Sequence, residues 1–207
     1  MSSSVRIPAP VRERRSHSER TAETKARIMA AVVESIDEVG FHKTTGAEIS
    51  RRAGVSWGAV QHHYRDKDGI LVAVLESSFD LFAERLGSPP ETAASLEERV
   101  ALFVDRAWSH FSSPEYRSTF EILRNLPRDL DSSWQKDLLR QWFEIWSAYF
   151  PERRSARERT TELLYFTFSA LSGLAGTRML DSAGGRLEAS GLELLKETLR
   201  RGLGAEG

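Results

Sequence analysis

Between Thr44 and Lys67 the chain reads TTGAEISRRAGVSWGAVQHHYRDK, which sets two helix starts and one helix stop within a single short segment. That punctuation leaves few folds open. Thr45 and Glu48 have the spacing of a capping box, in which each residue satisfies an orphan backbone N–H of the other. Ile49 and Ala53 give the first helix an apolar side. Gly54 stands where a helix ends in a left-handed residue, Val55 is a small apolar plug, and Ser56 can cap the helix that follows. The expected product is a tight, roughly perpendicular helix pair, the shape that lays its second helix in the major groove of DNA. On that second helix, about Trp57 to Tyr64, Val60 is expected to face the core. Trp57, Gly58, Gln61, His62 and His63 are expected to face outwards, where such groups reach base edges and phosphates.

The flanks are helical too. A first helix is expected from near Glu19 to Val39, with Ile28, Val32, Ile36 and Val39 on one face and Gly40 as its stop. Asp66 opens a long helix whose apolar set, Ile70, Leu71, Val74, Leu75, Phe79, Phe82 and Leu86, recurs every three or four residues until Gly87 and Pro89-Pro90. At about 20 residues it spans roughly 30 Å, enough to leave one core and enter another. Ser95 and Glu98 form a second capping box before Val100, Phe103, Val104, Ala107, Trp108 and Phe111, and Pro114 after Ser113 starts a further helix. Trp134, Leu138, Trp142, Ile145 and Tyr149 mark another, and the last two run from about Glu152 to Asp181 and Leu187 to Leu203. No alternating strand pattern interrupts them. The expected fold is all-α with about nine helices: a basic arm over 1–18, a DNA-binding domain over 21–81 and a second helical domain over 82–207.

Composition narrows the function. The chain has 207 residues and no cysteine, so disulfides and thiolate metal sites are excluded. The run from Leu163 to Gly176 is too short and too rich in Ser, Thr and Gly to span a bilayer. The N-terminus, with Arg6, Arg12, Arg14 and Arg15, lacks the apolar stretch of a signal peptide, so the expected location is the cytoplasm, in association with the nucleoid. Net charge is −1, but residues 1–70 carry +3 and residues 71–207 carry −4. The basic excess thus coincides with the helix pair, and binding must rest on a few placed contacts.

Together the long first helix, the Thr44-Thr45 pair, ISRRAGVSWGAVQHHYRDKDGIL and the long fourth helix resemble the TetR (tetracycline-repressor-like) transcriptional regulators over about residues 21–81. The resemblance implies a homodimeric regulator, expected to be a repressor, that binds a double-stranded palindromic operator and responds to a small effector. It places Thr44 and Thr45 on backbone phosphates and Ser56 at the start of the reading helix. Trp57, Gly58, Ala59, Gln61 and His62 fall at bases and nearby phosphates, with His63, Tyr64 and Lys67 at the phosphate-clamping end. Many members have Thr where Ala59 stands and Tyr where Gln61 stands, which implies an unfamiliar half-site.

Of the 19 aromatic residues, 13 lie between residues 71 and 150. Phe79, Phe82, Phe103, Trp108, Phe111, Trp142, Phe143 and Trp146 come from three helices, and their ordinary use is core. Pockets between helices are nevertheless lined by such side chains, so the same eight are candidates for an apolar or aromatic effector site. The helix around Leu163 to Leu180 is apolar on more than one face and carries small residues. Phe166, Ala170, Gly173, Leu174 and Thr177 there, with Leu192, Leu195 and Leu199 on the last helix, are the candidate dimer interface. Adjacent His62 and His63 point about 100° apart on a helix and cannot chelate one ion as an i, i+4 pair does. No metal, cofactor or catalytic residue is expected. No nucleophile elbow, phosphate-cradling loop or metal-spaced set supports an enzyme, and a helical interaction or ligand-binding module that has lost DNA binding is the other alternative.

Overall fold

The computed structural model describes residues 16–90, 94–127, 133–151, 157–180 and 185–204, leaving aside the side chains of 133, 157 and 158. Among the described residues there are nine α-helices and no strand. They are α1 (His17–Val39), α2 (Gly46–Ala53), α3 (Trp57–Tyr64), α4 (Lys67–Leu86), α5 (Leu96–Phe111), α6 (Pro114–Asn125), α7 (Ser133–Tyr149), α8 (Arg157–Leu180) and α9 (Gly185–Gly204), with a 3₁₀ turn over Phe41–Lys43. The arginines of the expected arm lie outside the described residues.

Most boundaries follow the capping chemistry. Ser56 accepts from the Ala59 amide, Asp66 from Gly69, Ser113 from Tyr116, and Ser95 with Glu98 closes a complete box. Gly54 ends α2 at φ 64°, ψ 37°, a left-handed stop. Two expectations need correction. First, α1 begins at His17, because Ser16 and Glu19 form a capping box that the basic arm masked in the sequence. Second, the Thr45 box is only half made. Thr45 accepts from the Glu48 amide, but the Glu48 carboxylate turns to Arg51 and Arg52, at 2.7 and 2.6 Å, and is held down to about 2 by those guanidiniums. Arg52 also bridges to Glu38 of α1, so this network ties α2 to α1.

Two apolar cores form, and α4 contributes to both. Its first half, Ile70, Leu71, Val74 and Leu75, packs with Ile28, Val32 and Ile36 of α1, Ile49 and Ala53 of α2 and Val60 of α3. Its second half, Phe79, Phe82 and Leu86, joins Phe103, Phe111, Trp142, Trp146, Leu171 and Leu199 from α5, α7, α8 and α9. Fully burying a Val, Leu, Ile or Phe side chain stabilises by about 1.5–3 kcal/mol. Val39, expected on the buried face of α1, is instead 38% exposed at the C-terminal end of the helix. Helix α6 also reaches both cores. Its Tyr116 lies in the second and its Ile122 in the first, Ser118 donates to the Val33 carbonyl of α1, and Arg117 pairs with Asp37.

The joint between α3 and α4 is strained. Arg65 sits at φ 66°, ψ −61°, and the Asp66 amide donates across it to the Tyr64 carbonyl at 2.8 Å, a γ-turn of the rare kind. It is the one non-glycine residue at positive φ among those described. Arg65→Gly is therefore expected to raise unfolding stability by about 1 kcal/mol, measurable by urea titration.

Candidate functional site

Helix α3 is held by few contacts and leaves one side open. Val60 is fully buried beneath it. Ser56, Gly58, Gln61 and His62 are exposed, while Ala59, His63 and Tyr64, and Lys67 at the start of α4, are half-buried. Tyr64 donates its hydroxyl to the Lys25 carbonyl of α1 at 3.4 Å, and the Lys67 ammonium sits 4.7 Å over the Phe41 ring. Burial and neighbouring His62 and Lys25 lower the proton affinity of His63, and burial does the same for Lys67.

Two of the eleven residues expected to meet DNA face inwards. Thr44 is fully buried, its hydroxyl shared between Ser35 of α1 and the Gly40 carbonyl at 3.0 Å each, so it anchors the entry to α2 rather than presenting an oxygen to phosphate. Thr45 stays exposed beside it. Trp57 is half-buried and lies across the start of α2, where a Cβ added at Gly46 would come within 2.9 Å of its ring. The large ring is spent on bracing the helix pair.

The second core contains a cavity of about 280 Å³ between α4, α5, α6, α7 and α8. Four of the eight aromatic residues proposed from sequence line it: Phe79, Phe82, Phe111 and Trp142. Trp142 stacks on Phe82 at 4.4 Å and meets Phe168 edge-on at 5.2 Å. The other four do not. Phe103 and Trp146 form a separate aromatic knot with Tyr149 and Phe150, fastened where the Tyr149 hydroxyl and Arg106 bond the Leu86 carbonyl at the end of α4. Trp108 donates its indole N–H to Glu188 of α9 at 3.1 Å, and Phe143 is half-buried away from the cavity.

Polar residues missing from the sequence reading complete the lining: Ser78 of α4, His110 of α5, and Tyr116 and Thr119 of α6. Their signal was a titratable or hydroxyl side chain on the apolar face of a helix, as His110 is beside Ala107 and Phe111. The Thr119 hydroxyl donates to Ser78 Oγ at 2.8 Å, and Ser78 Oγ stands 3.5 Å from His110 Nε2. Burial, with Arg85 nearby, pushes His110 down to about 4, so it is neutral at pH 7. An unfolded chain returns it to about 6.5. Between those values the unfolded state binds the extra proton, so stability is full above pH 6.5 and falls as pH drops towards 4. His110→Gln is expected to flatten that part of a plot of melting temperature against pH.

The expected dimer residues divide in the same way. Phe166, Gly173 and Thr177 are exposed along one side of α8, with Ala170 half-buried between them. Leu174 turns inwards against α9, where a Cβ at Gly191 would meet it at 2.8 Å. Leu195 and Leu199 are buried in the chain's own core and Leu192 packs against it. Leu187 and Leu194, 76% and 65% exposed, are the large apolar residues that α9 offers to solvent, and Leu180 at the end of α8 is 90% exposed.

A helix-turn-helix head, a long helix carrying its base into a second all-helical core, and a cavity within that core define a DNA-binding transcriptional regulator with a sensor domain. The family model described as "Bacterial regulatory proteins, tetR family" matches residues 28–74. The regulator BetI of Escherichia coli is 32% identical, over 56% of this chain and 71% of its own length, and CymR of Pseudomonas putida is 25% identical over 79% and 83%. The chain belongs to the tetR family. Among solved structures, the fatty acid degradation regulator FadR of Bacillus halodurans shares the fold with a TM-score of 0.66 at 17% identity, over 85% of this chain and 94% of that one. No described helix is long and apolar enough to cross a membrane.

Proposed function

We propose that this chain works as a homodimeric, cytoplasmic repressor whose two α3 helices, about 34 to 36 Å apart, enter successive major grooves of a palindromic operator, and that a small effector in the α4–α8 cavity releases it. The observation that carries this reading is the course of α4. Its Asp66 cap follows the end of α3, while Ser78, Phe79 and Phe82 on the same helix form one wall of the cavity. A ligand that displaces that wall alters the spacing of the two readers. For this to act as a switch, the effector must bind the DNA-incompetent state more tightly, since equal affinity for both states shifts nothing. Helix α6 supports a second route, because Thr119 lines the cavity while its neighbour Ser118 is bonded to α1.

In this reading residues 21–81 carry DNA recognition, and residues 82–207 carry most of the effector site and the dimer contact, through the exposed side of α8 with Leu187 and Leu194. Thr45, Ser56 and Gly58 approach the backbone, Ala59 and Gln61 approach bases, and His62, His63, Tyr64 and Lys67 border phosphates. The FadR structure from Bacillus subtilis was solved in complex with stearoyl-CoA, so this fold admits a ligand in at least that relative.

The test is salt-dependent binding to the chain's own upstream DNA, followed by variants. Gln61→Ala is expected to change base preference at one or two operator positions, each worth about 1–3 kcal/mol. Lys67→Ala should weaken operator and random DNA alike and reduce the salt slope by about one. Equal effects of both variants on operator and random DNA would overturn the assignment.

A further inference from the structure

We propose that the effector is an uncharged, largely hydrocarbon molecule of one or two rings bearing a single oxygen-centred hydrogen-bonding group, received by Ser78, Thr119 and His110. This rests on the reading of the cavity as the effector site and adds the chemistry of its occupant.

Size sets the first limit. An apolar cavity of about 150 Å³ accepts benzene, so about 280 Å³ holds a one-ring body with substituents or two fused rings. The walls set the second. Leu75, Phe79, Phe82, Phe111, Trp142 and Phe168 present hydrocarbon and ring faces, and none of the lining residues carries a formal charge when His110 is neutral. An ion placed there loses its hydration without gaining an opposite charge, which is strongly unfavourable. The charges that act on His110, Arg85 and Glu115, are paired with each other at 3.4 Å. A neighbouring hollow that shares Phe79, Trp134 and Leu138 carries Glu76, Asp80 and Asp137 against the single cation Arg140, which is bonded to Asp137. Its negative excess further disfavours anions.

The third limit is the polar patch. The Thr119 hydroxyl lies 2.8 Å from Ser78 Oγ and 3.5 Å from the Glu115 carbonyl, and Ser78 Oγ stands 3.5 Å from His110 Nε2, the outer edge of a hydrogen bond whose direction is set by the imidazole tautomer. His110 Nδ1, in a side chain 3% exposed, has no partner. Three helices thus converge on a hydroxyl pair and an imidazole whose capacity is not filled. A phenol, alcohol or ketone oxygen entering beside Ser78 supplies the shorter bond. The cavity reaches solvent where exposed Gln135, Leu139 and Tyr165 meet, which gives such a molecule an entrance.

The test titrates the full chain with four matched probes, ethylbenzene, 4-ethylphenol, 4-ethylbenzoate and 4-ethylbenzylammonium, following Trp fluorescence and heat of binding near pH 7.5. The phenol is expected to bind about tenfold more tightly than the hydrocarbon, as one net hydrogen bond gives, and at least tenfold more tightly than either ion. Combining Ser78→Ala and Thr119→Val with His110→Leu should erase the phenol's advantage, and Thr119→Ser, which keeps the hydroxyl, should retain it. Tightest binding of the benzoate or the ammonium, or equal binding of phenol and hydrocarbon, overturns the inference while leaving an effector cavity in place. Failure of all four probes to bind counts against the cavity as an effector site and against the inference with it. If the phenol binds as expected but operator affinity does not respond, the chemistry stands and the release mechanism falls.

Discussion

Gly173→Arg is expected to yield a folded monomer that has lost most of its operator affinity. A Cβ at Gly173 meets nothing within 4 Å in the single chain, so the longer side chain is accommodated on the exposed side of α8. Replacing a glycine within a helix also removes a penalty of roughly 0.5–1 kcal/mol, so the melting temperature of the monomer should not suffer through α8 itself. In the dimer proposed above each chain brings one such arginine to the shared face, where the two like charges disfavour association. Losing the dimer turns an intramolecular second contact into a bimolecular one, which costs about 10²- to 10⁴-fold in operator binding. Light scattering reads the mass and fluorescence anisotropy the affinity. A dimer with unchanged operator binding would place the interface elsewhere. Gly202 is the internal contrast: a Cβ there would lie 2.7 Å from Leu163, so the same substitution breaks packing between α8 and α9 inside one chain.

Gly69→Ala should separate DNA binding from sensing. Gly69 lies in the first turn of α4, and a Cβ there would stand 2.1 Å from the Tyr64 carbonyl oxygen and 3.2 Å from its carbon. Both are backbone atoms at the end of the reading helix, so no side chain can swing aside. One methyl group must push α3 away from α4, at about 1–3 kcal/mol or more. Tilting the reading helix forfeits at least one good base contact, so operator affinity should fall by roughly two orders of magnitude. The cavity lies beyond Leu75, and its Trp142 fluorescence response to a bound probe is expected to survive. Operator affinity within threefold of the parent would show that the joint yields more easily than its geometry implies.

What could be read from the residues divides along physical lines. Caps and stops act within four residues of each other, so Ser56, Asp66, Ser95 and Ser113 were legible as helix starts and Gly54 as a stop. The helix pair followed from them. Which apolar face a helix turns to its own core is a tertiary matter. α9 carries leucines on two faces, and nothing local distinguishes Leu195 and Leu199, which are buried, from Leu187 and Leu194, which are not. The same holds for the aromatics: Phe111 and Trp142 line a cavity while Phe103 and Trp146, on the same two helices, fill space. Trp57 looked outward-facing because its residue type suits DNA, and the family resemblance placed Thr44 on a phosphate. Ser35 and Gly46, which receive them, are distant enough in sequence to leave no sign.

Helix α6 has a bearing on how such proteins can be recombined. Ile122, fully buried, completes the core beneath the reading helices, and Leu123, Leu126 and Trp134 pack against that same core. A chimaera that grafts residues 16–86 onto a foreign sensor leaves an unfilled space beneath α1 and α4, unless the donor's sixth helix travels with the head or the recipient's happens to fit. Exchange of DNA specificity between relatives is therefore easier by altering the exposed side of α3 than by swapping whole domains.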